Sequence, residues 1–556
     1  VSEPATEASL RLIPLGGLGE FGLNAMVIEW QGERLLLDAG MLFPGAELPG
    51  IDSIVPDFAY LAQEPGRLHG IVLTHGHEDH IGALAFALEA APAPVYGSPL
   101  TLGFARERLR ERDVAAELRT LVPGSPVAIG PFRVHAIRVA HSVPDCLALA
   151  IETPAGVVLA SGDFKIDAGA PPEEATDLAA LTAWGERGVL VLLSDSTNVE
   201  QAGRTGGEDA VIPAFEEVFA RTRGRVLVSC FATSIPRIQR VADLAIRAGR
   251  AVCFVGRRMQ DNVEVARDLG ALRLPESALV PASSLPEQPP ARVCAFVSGS
   301  QGEPLSALSA ISVAEHRELA VGPGDTVVIS ARAIPGNERA VSRVISNLYR
   351  RGCDVVHPGK ARVHVSGHAS RDELVELLRC VRPRYLVPVH GEYRMLAQHA
   401  RLAVEAGLPE ERVLLAEDGE VLLFGPAGAR KLARVAAGRV LLDRSGGSDG
   451  VEDVVVRDRR QLSADGIVVP VVVLDRLSGR VEAPPEIVTR GFVGEAGRAD
   501  LLQDAGRLVQ EAVESRPAEE RDDPGLTRER VRLELRRFFK KRTQRRPIVI
   551  PVVMEV

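Results

Sequence analysis

The stretch "LTHGHEDHIG", residues 73–82, sets three histidines, an aspartate and a glutamate within six consecutive positions. Imidazoles and carboxylates are the side chains that ligate divalent ions, and histidines at i and i+2 leave a strand end on the same side. The aspartate and the third histidine fall where the chain turns into a helical-looking segment, Ile81 to Ala91, and so face a second position. One such motif fills only part of a metal's coordination, so a solvated loop with chance polarity is excluded only if further ligands converge on it. Three candidates do: His141 closes "FRVHAIRVAH", Asp163 closes the run "VVLASGD", and His390 closes "RYLVPVH". Each is a lone polar residue at the carboxyl end of an apolar run. Taken singly, each reads as a core or turn residue; beside H-x-H-x-D-H, the set reads as a metal centre.

The apolar patterning supplies elements able to place these residues. The first 200 residues read as short strands between Gly/Pro turns, among them "RLIPLGG", "AMVIEW", "RLLLDAG" and "GVLVLLSDS". Continuous apolar runs of this length suit strands buried on both faces. From 207 to 358, helical patterns such as "IPRIQRVADLAIRAG" alternate with buried strands such as "RVLVSCF", which predicts an α/β unit with a largely parallel sheet. Strands and helices continue over 359–440, with "ARVHVSGHAS" read as one of the strands. "DRSGGSDGVEDVV" is the best linker candidate, placed at 441–452. Residues 453–556 form a smaller αβ module in which strands "GIVVPVVVLD" and "RPIVIPVVMEV" flank helices near 497–515 and 526–542.

At 556 residues the chain exceeds one hydrophobic core, and roughly two to four domains are expected. With 46% hydrophobic and 25% charged residues the composition is globular, and no run approaches the roughly 20 apolar residues that span a bilayer. The start "VSEPATEASL" lacks the basic and apolar segments of a secretory signal. Six scattered cysteines with no C-x-x-C pair suit a reducing compartment, so a cytoplasmic location is expected. A net charge of −9 excludes coating nucleic acid by bulk charge but not a local basic track. Arg528 to Arg546 holds ten Lys/Arg against two Glu, either a solvated helix face or such a track.

Asp38 in "LLLDAG", His75-x-His77-x-Asp79-His80, His141 and Asp163 in "SGDFK" together resemble the signature of the metallo-β-lactamase superfamily, an αβ/βα sandwich with a two-metal site. The resemblance implies that His75, His77 and His141 hold a first ion and that Asp79, His80 and His390 hold a second. Asp163 would bridge both, and Asp38 would orient ligands without binding metal. Roughly 150 α/β residues follow Asp195 in "LLSDSTN" before His368 in "VHVSGHAS" and His390 in "PVHGEYRM", which is similar to the β-CASP insertion of nucleases. A histidine at the last of these positions marks the RNA-cutting members. The whole layout, including "IPLGGLGEFGLNAMVIE", "MLFPGAELPGID", "SGSQGEP" and a small C-terminal domain, resembles the bacterial ribonuclease J family. The fold implied is α/β: a metallo-β-lactamase sandwich at 1–206 and 359–440, an inserted α/β β-CASP domain at 207–358, and a small αβ C-terminal domain.

That resemblance implies a metal-dependent ribonuclease with 5′-to-3′ exonuclease action on 5′-monophosphate RNA and endonuclease action on single-stranded RNA, serving messenger RNA decay and ribosomal RNA maturation. Two divalent ions per subunit are expected, zinc first, with manganese or magnesium able to substitute; such a pair activates water and clamps a phosphate. Asp79 and Asp195 join His368 as catalytic candidates, His368 as the group that protonates the leaving oxygen. Ala232, Thr233 and Ser234, with His364, Val365, Ser366, Gly367 and His368, form the candidate phosphate pocket, since hydroxyls and backbone N–H groups at a helix start favour anions. Thr233-Ser234 also reads as a plain cap for a helix beginning at Pro236. His69, His135, His316, His357 and His399 fit no motif and read as surface or structural residues. Single-stranded RNA, a second or fourth copy of the chain and other RNA-decay proteins are the expected partners, with no membrane. A lactamase or thioesterase would need the metal ligands but not the insertion, Asp195 or His368. A non-catalytic RNA-binding scaffold would tolerate gaps among the ligands, and here every ligand position is filled.

Overall fold

The computed structural model describes residues 9–45, 47–63, 66–303, 305–443, 450–476, 478–494, 498–515 and 523–556. Most of the linker candidate, 444–449, lies outside the described residues. The chain divides into two compact units, one made of Val1–Phe43 with Ile54–Val440 and the other of Pro44–Ser53 with Leu441–Val556.

Two sheets face one another in the first unit. The larger runs in the order Gly428–Lys431, Leu422–Gly425, Leu10–Gly16, Ala25–Trp30, Glu33–Leu37, Arg67–Val72, Val95–Gly97, Leu118–Thr120. The second runs Tyr385–Val389, Val191–Asp195, Gly156–Ala160, Leu147–Thr153, Phe132–Arg138, Val127–Ile129. Their inner faces share one core, with Leu12, Ile28, Leu35 and Val72 against Leu149, Ile151, Val158, Val191 and Val387. The strand Val191–Asp195 is buried along its whole length, as a run apolar on both faces requires. Because Val191–Asp195 pairs in parallel with Tyr385–Val389, Asp195 and His390 leave the sheet at the same edge.

The chain between these two strands forms a parallel five-stranded sheet, Ala251–Val255, Val293–Val297, Val226–Ser229, Thr326–Ile329, Asp354–Val356, with its own core around Leu227, Ala295, Val327 and Leu348. In open parallel sheets, ligands are met at the carboxyl ends of the strands. Here those ends feed residues 230–234 and 330–336.

The second unit is built on the strand Ile467–Leu474, whose alternating burial marks one covered face. The helices Arg498–Glu514 and Pro524–Thr543 go with that face through Val468, Val472, Val509, Leu535 and Phe539. Among the described residues, no helix is long and apolar enough to cross a membrane.

Several local expectations fail for stated reasons. The segment Ala361–Ser370 is not a strand, because its backbone bonds go to side chains rather than to a neighbouring strand. The helix expected from Ile81 starts at Glu78 and breaks after Ile81, resuming at Leu84–Ala90, so Asp79 and His80 ride the first turn. "RPIVIPVVMEV" is split into Ile548–Val549 and Val552–Glu555 at Pro551, which has no N–H to donate. Val481–Arg490 is a full strand despite Pro484 and Pro485, tolerated at a sheet edge with a register shift opposite.

One glycine fixes how the metal motif seats on the sandwich. A Cβ on Gly40 would lie 1.6 Å from the Asp79 carbonyl oxygen. Gly40→Ala is therefore expected to lower stability by about 1–3 kcal/mol, the usual range for overpacking. Gly438→Ala, where a Cβ would meet nothing within 4 Å, leaves stability unchanged. Denaturant midpoints of the two variants decide this; equal midpoints would show that the Gly40 contact relaxes freely.

Candidate metal centre and substrate pocket

Apart from Asp79 and His80, which ride the first turn of the helix Glu78–Ile81, the candidate ligands sit just past strand ends. His75 and His77 follow Arg67–Val72, His141 follows Phe132–Arg138, Asp163 follows Gly156–Ala160, and His390 follows Tyr385–Val389. His390 and Asp38 both adopt left-handed backbone, with φ of 56° and 58°. Non-glycine residues hold that conformation only when their surroundings enforce it, and such residues cluster at functional sites.

The ring nitrogens converge. His75 Nε2 lies 3.0 Å from His77 Nδ1, and His141 Nε2 lies 3.2 Å from the same atom. Asp163 Oδ2 faces Nε2 of His75, His80 and His141 at 3.5, 3.4 and 3.8 Å. Its other oxygen, Oδ1, meets His390 Nδ1 at 3.1 Å, and His390 Nε2 meets Asp79 Oδ2 at 3.2 Å. Thus His75, His77, His141 and Asp163 form one potential metal-holding group, and Asp79, His80 and His390 form another. A third, Asp163, Asp195, His368 and His390, overlaps them.

Surrounding groups fix the rings. His141 Nδ1 is 2.8 Å from the Gly367 carbonyl oxygen, a bond that makes Nδ1 the donor and leaves the Nε2 lone pair for the centre. A Cβ on Gly367 would press the His141 ring at 2.6 Å, so only glycine permits this approach. Asp38 Oδ2 holds His80 Nδ1 at 2.8 Å, while its Oδ1 accepts from the Thr74 N–H at 2.8 Å. Asp38 therefore points at a ligand's far side rather than into the centre. Asp195 Oδ2 holds His368 Nδ1 at 2.9 Å, and Asp195 Oδ1 accepts from both the N–H and the hydroxyl of Thr197.

Burial disfavours charge on His75, His77, His80, His141, Asp163 and His390 alike. It prevails at His75 and His141, whose basicity falls well below the imidazole norm, and it takes His77 down to about 4. At Asp163 burial is overcome by His390 and His80, and the carboxyl is held well below its usual range. Asp163 in turn holds His390 well above its ordinary value against burial. His80 is pushed up to about 10, again against burial, by Asp163, Asp38 and Asp79. The cluster thus calls for positive charge beside buried carboxylates. Among the described residues, Asp163 Oδ2 is buried with no hydrogen bond. Nitrogen and oxygen donors around such an orphaned anion fit divalent cations, which can take the place of the protons.

The candidate phosphate residues fall into two segments joined through Arg237. The helix Ile235–Arg247 begins one residue earlier than its proline suggested, and the hydroxyl of its N-cap, Ser234, makes no capping bond. Thr233 and Ser234 are nonetheless buried. Arg237 donates to the Val363 and Val365 carbonyls at 3.3 and 3.2 Å, and its Nη1 lies 3.4 Å from His364 Nδ1. Burial, with Arg237 beside it, takes His364 down to about 3, so this imidazole is neutral rather than cationic. Ser366 Oγ accepts from the His368 N–H at 3.2 Å, which leaves the hydroxyl proton available. The "GGLGE" segment lies close by: Gly16, Gly17 and Leu18 line the recess that also holds Asp163, Asp195 and His390.

Sequence reasoning missed Arg237, Glu208, Thr74 and Glu373. Glu373 was within reach, since Ser370-x-x-Glu373 is a capping-box spacing and the box is present. Its carboxylate also accepts from the Ile166 and Thr205 N–H groups at 2.8 Å each, which spacing does not reveal. No local signal marked Arg237. Among the histidines outside the motifs, His399 is fully buried with Nδ1 3.0 Å from Ser196 Oγ, and His69 pairs with Glu33.

Comparison with known proteins gives four consecutive family matches: the metallo-beta-lactamase superfamily at 18–194, the ribonuclease J beta-CASP domain at 223–348, the Zn-dependent metallo-hydrolase RNA specificity domain at 356–415, and the ribonuclease J C-terminal domain at 454–556. The chain is 35% identical over 549 residues to Ribonuclease J 2 of Staphylococcus aureus (strain NCTC 8325 / PS 47), covering 98% of each. It is 34% identical over 548 residues to Ribonuclease J of Helicobacter pylori (strain ATCC 700392 / 26695), covering 98% of this chain and 79% of that one. A solved structure from Enterococcus faecalis V583, described as a protein of unknown function, aligns with TM-score 0.51 over 75% of this chain and 100% of its own. At 14% identity that likeness concerns the fold alone. Carrying these domains in this order, and matching these relatives along 98% of its own length, the chain belongs to the ribonuclease J family and is a metal-dependent ribonuclease.

Proposed function

We propose that the protein hydrolyses RNA from the 5′ end, one nucleotide at a time, and also cuts single-stranded RNA internally, serving messenger RNA decay and ribosomal RNA maturation. The observation that carries this reading is the juxtaposition of the His75, His77, His141 and Asp163 group and the Asp79, His80 and His390 group with the Asp195–His368 pair. His75, His77 and His141 would hold one ion and Asp79, His80 and His390 the other, with Asp163 between them. Zinc suits this nitrogen-rich set, and manganese or magnesium can substitute. When bound, such ions acidify water and neutralise charge on a phosphoryl group.

The protein's own groups then do the remaining work. Asp38 and the Gly367 carbonyl hold His80 and His141 in the tautomers that offer Nε2. Asp195 accepts a hydrogen bond from the His368 Nδ1–H and supports the charged imidazolium against burial, leaving Nε2–H to hand a proton to the departing 3′-oxygen. Thr233, Ser234 and Ser366 provide hydroxyls, and the helix Ile235–Arg247 presents its amino end, where a terminal phosphate is favoured.

A cytoplasmic location fits six free thiols, five of them buried. Assembly into a dimer or tetramer fits a row of exposed apolar residues, Ile550, Val552, Met554 and Val556, on the C-terminal strand and its flanks.

Asp79→Ala, or prolonged chelation, is expected to abolish RNA cleavage while the far-ultraviolet circular dichroism of the protein persists. Elemental analysis finding no divalent ion in an active preparation would rule the metal centre out. His368→Ala should cut turnover on RNA by about 10²-fold or more with metal content unchanged. Loss of metal from that variant would make His368 a ligand instead. On 5′-end-labelled RNA, a monophosphate end should be degraded to mononucleotides, and a triphosphate end should resist until an internal cut is made. Equal rates on the two ends would remove the terminal-phosphate pocket and leave the hydrolase.

A further inference from the structure

Three charged side chains of the first unit are buried together, one carboxylate between two cations, outside the set of metal-holding groups. Arg237, Glu208 and Lys165 are 1%, 5% and 1% exposed. Arg237 Nε and Nη2 both grip Glu208 Oε2, at 2.7 and 2.6 Å, and Lys165 Nζ takes Oε1 at 3.1 Å. The remaining guanidinium hydrogens go to the Ser330 hydroxyl at 2.8 Å and to the carbonyls of Val363 and Val365. The Ser330 hydroxyl in turn donates to the Val363 carbonyl at 2.5 Å.

Buried ion groups seldom add stability over apolar residues of the same volume; what they can add is a defined register. Here the register matters, because residues 361–370 have no strand to hold them. Carbonyls at i and i+2 project from one side of an extended segment, and the planar fork of an arginine spans them as a lysine cannot. From that anchor the segment runs three residues to His368, passing Gly367, whose carbonyl binds His141. The other end of the triad is tied to the ligands as well. Lys165 lies two residues after Asp163, and its N–H bonds the carbonyl of Ala140, the neighbour of His141, at 2.8 Å.

We propose that Arg237 is a positioning residue for cleavage: through Glu208 and Lys165 it sets the Val363–His368 segment against the strands that carry Asp163 and His141, and so holds His368 in register with the reacting bond. This rests on the reading of His368 as proton donor, and the experiment separates the two.

Arg237→Lys, His368→Ala and the double variant are compared on a single-stranded RNA and on bis(p-nitrophenyl) phosphate, whose leaving group departs without a proton. Arg237→Lys is expected to lower kcat on RNA by about 10- to 100-fold, the scale of a misplacement near 1 Å, with KM less affected. Metal content stays full, and hydrolysis of the activated ester changes less than about twofold, the near-neutral side of the same scale. In the His368→Ala background, Arg237→Lys adds no further loss on RNA, since the two act as one unit. Ser330→Ala, which removes only the hydroxyl shared with the Val363 carbonyl, gives a smaller loss with the same selectivity and serves if Arg237→Lys does not fold. Parallel losses on both substrates, multiplying losses in the double variant, or unchanged kcat on RNA would each overturn the proposal. A His368→Ala enzyme with unchanged kcat on RNA overturns the proton-donor reading itself, and with it the route from Arg237 through His368.

Discussion

Asp163 Oδ2 lies under the surface among three imidazole nitrogens, 3.4 to 3.8 Å away, with no hydrogen bond of its own among the described residues. A carboxylate placed this way is costly unless positive charge is supplied to it. That demand accounts for much of what surrounds it. The ends of the strands Arg67–Val72, Phe132–Arg138 and Tyr385–Val389 bring imidazoles to its two oxygens, and Asp38 and Asp195 each hold a histidine from behind. His390 accepts a left-handed backbone at the point where it must reach both Asp163 and Asp79. The sandwich core keeps those strand ends from moving apart.

The inserted domain contributes differently. Its parallel sheet brings the start of Ile235–Arg247 and the ends of Val226–Ser229 and Thr326–Ile329 to one edge. None of the residues expected to hold metal comes from it. Its connection to the centre is made by buried polar groups rather than by strand pairing, with Arg237 reaching the irregular segment that carries His368. The part of the molecule that would meet the RNA end and the part that would break the bond are thereby joined by a few directional bonds.

The strand and helix rhythm made most of the architecture legible in the sequence, because apolar runs buried on both faces, such as Val191–Asp195 and Val293–Val297, have no other stable use. The convergence of the candidate ligands was legible because ligand chemistry confines each position to very few residue types. Legibility ended where partners are distant in sequence and chemically ordinary. Arg237 looks like one of many arginines on an amphipathic helix, and only folding shows it fully covered. "ARVHVSGHAS" alternates like a strand, yet no neighbouring edge is offered to it, and side chains take its carbonyls instead. His364 reads only as one member of the phosphate pocket, and burial with Arg237 beside it, which lowers its basicity, is not visible along the chain.

The two halves of the candidate metal-holding set are far apart along the chain: His390 and Asp79, 3.2 Å apart in space, are separated by 311 residues. At ribosomal rates of roughly 5–20 residues per second, about 15 to 60 s pass between the emergence of one and of the other. During that interval the nascent chain exposes His75, His77, Asp79 and His80 without their distant partner. The inserted sheet, with a core of its own, bridges the gap between Asp195 and His368, 173 residues apart, and its compaction shortens the loop that must still close. Order of synthesis thus delays completion of the candidate centre until nearly four hundred residues exist, so a chain cut short before His390 lacks one of its candidate ligands.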